Sequence, residues 1–223
     1  MCAIVGSSNT DKLWELIQLN STRGSHSYSL SCFRNIGDPV HGEVRGVVLE
    51  RALGTINRDT LEKCSGDYTL VHIQAPTTEN QSAENIHPAT IPGKGRLWHN
   101  GVLKADMVDK LRKKHKRDTF WDTELLLHEI EKCGFDSLND VDGGFSCVYL
   151  SMDEKFNTSH RLFIFRNSIC PLFIDKDMNI SSMKFDGSYQ VEVDTVFKMN
   201  LSMKQLELIQ KFKTYDNPYY FGD

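Results

Sequence analysis

The sequence of this 223-residue chain predicts an α+β fold in which sheets pack against helices. Three observations predict this class. Strand candidates fill the first and last parts of the chain, two amphipathic helices lie between them, and regular strand–helix alternation is absent. The composition, with 39% hydrophobic and 25% charged residues, is that of a globular protein. A single domain, residues 1–223, is expected to bury enough surface to fold without a metal or a disulfide.

The first part of the chain alternates between short apolar runs and turn signals. A strand at Ala3–Val5 is followed by an amphipathic helix, capped by Thr10 or Asp11, that ends near Arg23-Gly24. Further strands are predicted at Tyr28–Phe33, Val44–Leu49 and Tyr68–Ile73. The long polar stretch Pro76–Gly95 is typical of a lid or a binding loop.

The second part begins with a short strand at Arg96–Trp98 that ends in His99-Asn100-Gly101. Two helices are predicted next, at Lys104–Lys116 and Thr123–Lys132. Strands resume at Phe145–Leu150, Arg161–Arg166, Leu172–Ile174 and Ile180–Met183. A last helix is predicted at Ser202–Phe212, before a tail rich in tyrosine and proline.

The charge balance and the apolar runs argue against two classes of partner. Lysine and arginine total 26 against 30 aspartates and glutamates, so the net charge is −4. Binders of nucleic acid or anionic membranes usually carry a basic surplus, so neither partner is expected. The basic cluster between Lys110 and Arg117 suits the C-terminus of a helix. The purest apolar run, Leu162–Phe165, is too short to span a bilayer.

The cysteines and histidines show no metal-binding or redox spacing. The six cysteines stand at positions 2, 32, 64, 133, 147 and 170, and no two form a CxxC pair. The N-terminus lacks the basic and long apolar regions of a secretory signal, so reduced cysteines and a cytoplasmic location are expected. No HExxH motif occurs among the eight histidines, and neither a metal nor a cofactor is expected.

Cys2 is the first candidate for catalysis. A cysteine exposed by removal of Met1 carries both a thiol and a free α-amine, and that amine can act as the general base of the thiol. The alternative is that Cys2 is a minor packed residue. Its position alone favours a packed residue. Whether Cys2 is catalytic therefore has to be judged from the motifs in the rest of the chain.

Eight segments, the first of which contains Cys2, occur in the order of one enzyme family. They are Met1-Cys2-Ala3-Ile4-Val5-Gly6, Arg23-Gly24, His72-Ile73-Gln74-Ala75-Pro76-Thr77, His87-Pro88, His99-Asn100-Gly101, Asp122-Thr123-Glu124, Asp142-Gly143-Gly144-Phe145-Ser146 and Pro171-Leu172-Phe173. In this order they resemble class II glutamine amidotransferases, whose domain is an N-terminal-nucleophile (Ntn) hydrolase. The resemblance covers nearly the whole chain. It implies a four-layer αββα sandwich of two antiparallel sheets between helices.

The resemblance also implies a catalytic group. Cys2 would attack the side-chain amide of glutamine and release ammonia through a thioester, while Asn100 and Gly101 hold the oxyanion. Arg23 would stand behind the nucleophile, as would His72 and His99. An Asn-Gly pair is equally a signal for a hairpin turn, and a cation such as Arg23 also suits a helix C-terminus.

The implied substrate-binding residues are Gln74, Ala75, Thr77 and Asp122, with Asp122 pairing with the α-ammonium of glutamine. Thr119 and Asp122 also fit a helix capping box. The family has an arginine for the substrate α-carboxylate where this chain has Gln74. The amide of Gln74 offers a neutral hydrogen bond, whereas the guanidinium of an arginine offers two charged ones to a carboxylate. This difference predicts about ten-fold weaker binding of glutamine. Substrate recognition thus departs further from the family than the catalytic residues do.

Smaller departures are Ser25-His26 in place of Pro-Asp and Ala3 in place of glycine. The family pairs this glutaminase unit with an acceptor that consumes ammonia, and 223 residues leave no room for one, so an acceptor subunit in trans is expected. The alternatives are hydrolysis of a different amide, or a catalytically degenerate Ntn-fold protein that binds a ligand or partner. Retention of Met1 would favour the binding protein, because it locks the Cys2 amine in a peptide bond.

Overall fold

The computed structural model describes residues 2–75, 85–152 and 160–215. The strands are β1 (Ala3–Ser7), β2 (Ser27–Ile36), β3 (Glu43–Leu53), β4 (Tyr68–Gln74), β5 (Ala89–Ile91), β6 (Gly95–Leu103), β7 (Gly143–Met152), β8 (His160–Arg166), β9 (Phe173–Ile174), β10 (Ile180–Ser181), β11 (Tyr189–Gln190), β12 (Thr195–Asn200) and β13 (Gln205–Lys211). The α-helices are α1 (Thr10–Leu19), α2 (Arg58–Leu61), α3 (Ala105–His115) and α4 (Asp122–Cys133). Within the described ranges, no helix is long and apolar enough to cross a bilayer.

The strands form two antiparallel sheets joined at one corner. The first sheet has the order β11-β9-β10-β1-β4-β2-β3, and the second has the order β5-β6-β7-β8-β12-β13. The corner is a two-residue pairing of β3 with β8, in which Glu43 lies opposite Arg161 and Val44 opposite His160. β1, which begins directly after Cys2, therefore lies inside the first sheet between β10 and β4.

Three apolar layers hold the sheets and helices together. The first lies between α1 and the first sheet and includes Leu16 and Val71. The second lies between the sheets, where the rings of Phe33 and Trp98 meet edge to face with centroids 5.8 Å apart. The third lies between the second sheet and α4. The order helix–sheet–sheet–helix confirms the predicted four-layer αββα architecture.

The helix after β1 is formed as predicted but begins with a different cap. The side chain of Asn9 accepts a hydrogen bond from the Lys12 amide at 2.9 Å, so the N-cap is Asn9, and the assignment to Thr10 or Asp11 is wrong. Leu13, Leu16 and Ile17 form the apolar stripe that the helix packs against the first sheet.

Two predicted elements differ in the structure. The predicted last helix, Ser202–Phe212, is wrong, because most of this stretch is the β-strand β13 (Gln205–Lys211), which forms a hairpin with β12. The apolar residues of this stretch fit both periodicities, and pairing with β12, itself bonded to β8, decides the conformation. The predicted loop Pro76–Gly95 also contains β5, whose Ala89 pairs with Leu97 of β6.

One pair of cysteines is oxidised. Cys32 and Cys64 form a disulfide that ties β2 to the turn after α2, so the expectation of six reduced cysteines is wrong for this pair. The β2–β4 register places Cys32 opposite Thr69, and the Thr69 hydroxyl donates a hydrogen bond to Cys64 Sγ at 3.0 Å. A separation of 32 residues gives no sign of this proximity, because only strand pairing creates it. The other four cysteines are free.

Candidate active site

Cys2 lies at the entry to β1, buried between neighbouring strands. Its thiol faces the carbonyl oxygen of Ala75 at 3.8 Å, and only 6% of the residue is exposed. Burial raises the pKa of the Cys2 thiol above its ordinary value, and the negative charge of Asp122 also raises it. The hydrogen bond to Ala75 and the positive charge of Arg23 lower this pKa, but the effect of burial is the largest. Without a base, this thiol is therefore mostly protonated at neutral pH.

Arg23 lies behind Cys2, on the 3₁₀ turn Ser21–Arg23 that follows α1. Its Nε donates a hydrogen bond to the Cys2 carbonyl oxygen at 2.9 Å. The next residue must be glycine, because a Cβ at Gly24 would lie 2.6 Å from the carbonyl carbon of Gln74. The turn thus presses closely against β4, and the Arg23-Gly24 pair positions the backbone of Cys2.

Asn100 and Gly101 lie inside β6, so the hairpin-turn alternative for this pair is wrong. The Asn100 side-chain amide donates two long hydrogen bonds, to the Ser182 hydroxyl at 3.3 Å and to the Ser146 hydroxyl at 3.5 Å. A side chain at Gly101 would overlap the carbonyl oxygen of Gly144 on the paired strand. This close approach of β6 to β7 explains the glycine.

Ser182 connects the two halves of the candidate site and was missed at the sequence level. Its hydroxyl accepts a hydrogen bond from the Ile4 amide at 2.9 Å, and its own amide donates to the Ile4 carbonyl at 3.0 Å. The same hydroxyl accepts the bond from Asn100. Ser182 thereby links the strand that carries Cys2 to the strand that carries Asn100. No sequence signal marks it, since 178 residues separate it from Ile4.

Three buried histidines form a cluster beside this group. The Nε2–H of His72 donates a hydrogen bond to the His99 carbonyl oxygen at 2.9 Å, which fixes the tautomer of this ring. The rings of His72 and His87 stack with centroids 3.9 Å apart. Thr123 Oγ1 lies 3.0 Å from His87 Nε2 and 3.2 Å from His99 Nδ1. His87 and Thr123 belong to the sequence motifs, but the sequence does not predict either of them as a site residue.

Burial keeps at least two of these imidazoles neutral. It lowers the pKa of His72 to about 3, and it lowers the pKa of His87 well below the ordinary value, with further lowering by His72, His99 and Arg51. The rings therefore act as neutral hydrogen-bonding groups at pH 7. Across the described residues, no cluster of three or more histidine, cysteine or acidic side chains is arranged to hold a metal.

Gln74 is expected to contact the substrate, but its side chain forms hydrogen bonds to neighbouring residues of the protein. Its Nε2 donates to the Asn85 carbonyl at 3.0 Å, and its Oε1 lies 3.0 Å from His87 Nδ1, which makes that nitrogen the donor. Only 3% of Gln74 is exposed. Ala75 follows directly and contacts Cys2 Sγ through its carbonyl. Thr77 lies outside the described residues.

Asp122 is the first residue of α4 and remains partly open to solvent, with 21% of its side chain exposed. Its carboxylate accepts hydrogen bonds from the amides of Leu103 at 3.1 Å and Thr123 at 2.7 Å. The capping-box alternative with Thr119 is wrong, because the N-cap of α4 is Trp121 and Thr119 Oγ1 accepts from the Trp121 amide instead. The carboxylate is thus held by two backbone amides, with His99 Nδ1 4.0 Å from its Oδ2, and it remains partly exposed.

Known structures share this architecture. The glutamine phosphoribosylpyrophosphate amidotransferase of B. subtilis, complexed with ADP and GMP, superposes with a TM-score of 0.67 over 96% of this chain at 16% identity. The allosteric regulatory enzyme of purine biosynthesis superposes with a TM-score of 0.64, also over 96% of the chain, at 15% identity. The chain has the Ntn-hydrolase fold. This similarity confirms the fold that the sequence motifs imply.

The Ntn fold is shared over only part of these enzymes. The chain spans about half the length of each, since the superposition covers 49% of both neighbours. No family model matches the sequence, and no curated protein matches it. At this identity the likeness shows the fold, and the function must be argued from the side chains of the candidate site.

Proposed function

We propose that this chain is an amidotransferase-like amidohydrolase that uses Cys2 as an N-terminal nucleophile on a side-chain carboxamide. The general amidotransferase-like character follows the fold of its neighbours. The observation that carries the specific proposal is the Ser182 bridge, which joins the strand of Cys2 to the side chain of Asn100. Acyl transfer requires a nucleophile and an oxyanion donor close to each other, and the bridge supports these two roles for Cys2 and Asn100.

The proposed reaction has two steps. After removal of Met1, the α-amine of Cys2 takes the thiol proton, and the sulfur attacks the carboxamide carbon. The oxyanion accepts hydrogen bonds from the Asn100 amide and the Gly101 backbone, whose preorganised donors are worth about 3–4 kcal/mol each. The amine returns the proton to the leaving nitrogen, and the C–N bond breaks to give ammonia and a thioester. Water then cleaves the thioester to a carboxylic acid and free Cys2.

Three side chains support these steps without themselves forming or breaking a covalent bond. Arg23 fixes the Cys2 carbonyl, and so it holds the backbone from which the thiol projects. The long hydrogen bonds of Asn100 to Ser182 and Ser146 hold its amide while leaving it free to strengthen a contact with an oxyanion. Asp122 would bind an ammonium group of the substrate. The ammonia would pass to an acceptor subunit in trans.

A direct assay tests the proposal. Intact mass first establishes that Met1 is absent from the purified protein, and ammonia release is then measured with carboxamide substrates. We expect release that Cys2→Ala abolishes, with the thermal midpoint of the variant close to that of the wild type. A processed protein that releases no ammonia and shows no reaction at Cys2 would contradict the proposal.

A second candidate function, a ligand-binding protein with a degenerate site, is favoured by one observation. Gln74 replaces the arginine of the family and binds Asn85 and His87 of its own chain. Retention of the full Met1 mass would support this candidate, because the Cys2 amine would then be a peptide nitrogen. The intact-mass measurement therefore distinguishes the two functions before any kinetics.

A further inference from the structure

We propose that a binding site for ordered internal water, the inter-sheet water site, lies between the two sheets where β6 crosses β2 and β4. Its components are four polar side-chain atoms that have no hydrogen-bond partner among the described residues: Ser29 Oγ, Ser31 Oγ, His72 Nδ1 and Trp98 Nε1. All four residues are buried, with at most 1% of any of them exposed. The proposal is independent of the chemistry assigned to Cys2.

Three of these atoms belong to one face of the first sheet. Ser29 pairs with His72 across β2 and β4, and Ser31 follows two residues later on β2, so the three side chains point to the same side. His72 also pairs with Ile4, and Ser31 pairs with Leu70. Ile4 and Leu70 both belong to the apolar layer between the sheets. The face that carries Ser29, Ser31 and His72 is therefore the face that meets the second sheet.

The path of β6 brings Trp98 to the same place. Arg96 of β6 donates a hydrogen bond to a backbone carbonyl of β3 at 2.9 Å. The ring of Trp98 meets Phe33 of β2, and the carbonyl of His99 accepts from His72 of β4. Successive residues of β6 thus contact β3, β2 and β4 in turn, and these strands are neighbours in the first sheet. Trp98 therefore lies against the strand that carries both serines, beside the strand that carries His72.

The four atoms offer a set of donors and acceptors that water can complete. Trp98 Nε1–H can only donate, and His72 Nδ1 can only accept, because Nε2 carries the proton of this neutral ring. The two serine hydroxyls can do both. A water molecule can accept from the indole, donate to the imidazole and bond the hydroxyls. An apolar occupant would leave every one of these buried atoms unsatisfied, which is unfavourable.

Serine at these two positions also provides the space. Packed sheets lie about 10 Å apart, and large side chains normally fill the interval between them. Ser29 and Ser31 extend only one heavy atom beyond Cβ, whereas Phe33, next on the same face of β2, carries a ring. Water fills the difference in reach. Internal waters typically make about three hydrogen bonds to buried polar groups, and the four atoms supply that number.

The water site also supports the strand that carries Asn100. A hydrogen bond to Nδ1 keeps the proton of His72 on Nε2, where it binds the His99 carbonyl. His99 directly precedes Asn100 in β6. The ordered water is thus part of the packing behind the candidate site, although it is separate from the reacting groups.

Magnetic relaxation dispersion of oxygen-labelled water tests the proposal on the full chain, because it counts long-lived internal water molecules and is insensitive to exchange of hydroxyl protons. Ser31→Val and Ser29→Val each replace a hydroxyl by methyl groups that occupy the site, and valine suits a strand. We expect each variant to lose at least one long-lived water. Ser8→Val makes the same change at an exposed position and should leave the count unchanged. An unchanged count in both folded β2 variants would overturn the proposal.

A high-resolution crystal structure of the wild-type protein gives a second measurement that requires no variant to fold. Density for a water within hydrogen-bond distance of Trp98 Nε1 or His72 Nδ1 would support the site. Direct bonds from the serine hydroxyls to both nitrogens, with no water density between the sheets at this position, would overturn it.

Discussion

The imidazole rings of His72 and His87 stack in the protein interior, with centroids 3.9 Å apart and planes inclined by 20°. Both rings are buried, and both have a lowered pKa. Two neutral imidazoles stack favourably, whereas protonation of either would place a charge in a desolvated position beside the other. This pair therefore makes the stability of the fold depend on pH.

Acid is expected to destabilise the protein through His72. In the unfolded chain an imidazole takes up a proton near pH 6.5, but His72 in the folded protein does so only at about 3. Between these values the unfolded state binds more protons, so the free energy of unfolding falls as the pH falls, by about 1.4 kcal/mol per pH unit for one such group. Urea unfolding from pH 7.5 to 5 measures the slope.

The variant His72→Gln identifies the source of that slope. At every pH this variant lacks the stacking contact of the ring. The wild type loses stability in acid through His72, and the variant does not, because it has no imidazole at this position. The difference in unfolding free energy between wild type and variant should therefore be larger at pH 7.5 than at pH 5. A variant whose slope between these pH values equals that of the wild type would show that other groups control the acid sensitivity.

The Cys2 thiol should react selectively with an electrophile that resembles the substrate. An oxo-norleucine reagent is expected to alkylate Cys2 and none of the other five cysteines, because its amide-like end must reach Asn100 and Gly101. The buried thiol has a raised pKa, so the rate of alkylation should still increase with pH above 9. Peptide mass mapping locates the label.

Cys133 supplies the matched control for this labelling. It is a free, exposed cysteine, and iodoacetamide should modify it readily. Cys2→Ala should remove the oxo-norleucine label and leave the iodoacetamide label on Cys133. Labelling of Cys133 by oxo-norleucine at the rate of Cys2 would argue that no substrate-shaped site surrounds Cys2.

Several members of the candidate site can be predicted from the sequence, and the others depend on long-range pairing. The order of the motifs predicts that Cys2, Asn100 and Asp122 belong to one site, and the structure has Cys2 directly before β1, Asn100 inside β6 and Asp122 at the start of α4. Ser182 was not predictable, since its role exists only where β10 meets β1. The engagement of Gln74 by His87 depends on the return of the chain after residue 84, which no local signal defines.

The same distinction explains the misassigned C-terminal element. The stretch Gln205–Lys211 carries apolar residues at spacings that suit a helix and a strand, and local propensity does not decide between them. The free edge of β12 does decide, since it offers backbone partners to a strand and none to a helix.

Loss of the Asn100 amide should affect the chemical step. Asn100→Ala is expected to lower kcat by about 10²–10³-fold with little change in KM, because its contact with the oxyanion exists only in the transition state. Asn139→Ala makes the same change at an exposed position and should keep full activity. A large rise in KM for Asn100→Ala with kcat retained would contradict the assigned role.

The disulfide between Cys32 and Cys64 should contribute to stability. It closes a loop of about 32 residues, for which reduction is expected to cost about 2–4 kcal/mol of unfolding free energy. Urea unfolding with and without reductant measures the difference, and Cys64→Ser should unfold at the same urea concentration in both. Titration of six free thiols in denaturant without reductant would exclude the bond.

Gln74→Arg tests whether the candidate site accepts a substrate with a free α-carboxylate. The arginine supplies two charged donors for a carboxylate, so kcat/KM for glutamine should rise about ten-fold through a lower KM, with kcat nearly constant because the contact precedes the reaction. The same change gives up the bonds of Gln74 to Asn85 and His87, and it leaves a buried cation unpaired when the substrate has no α-carboxylate. Turnover of a carboxamide without an α-carboxylate should therefore fall. Gln74→Met loses the same hydrogen bonds without adding a charge. A gain for glutamine with methionine as well as with arginine would show that loosening of the 85–87 segment, rather than charge, causes the gain.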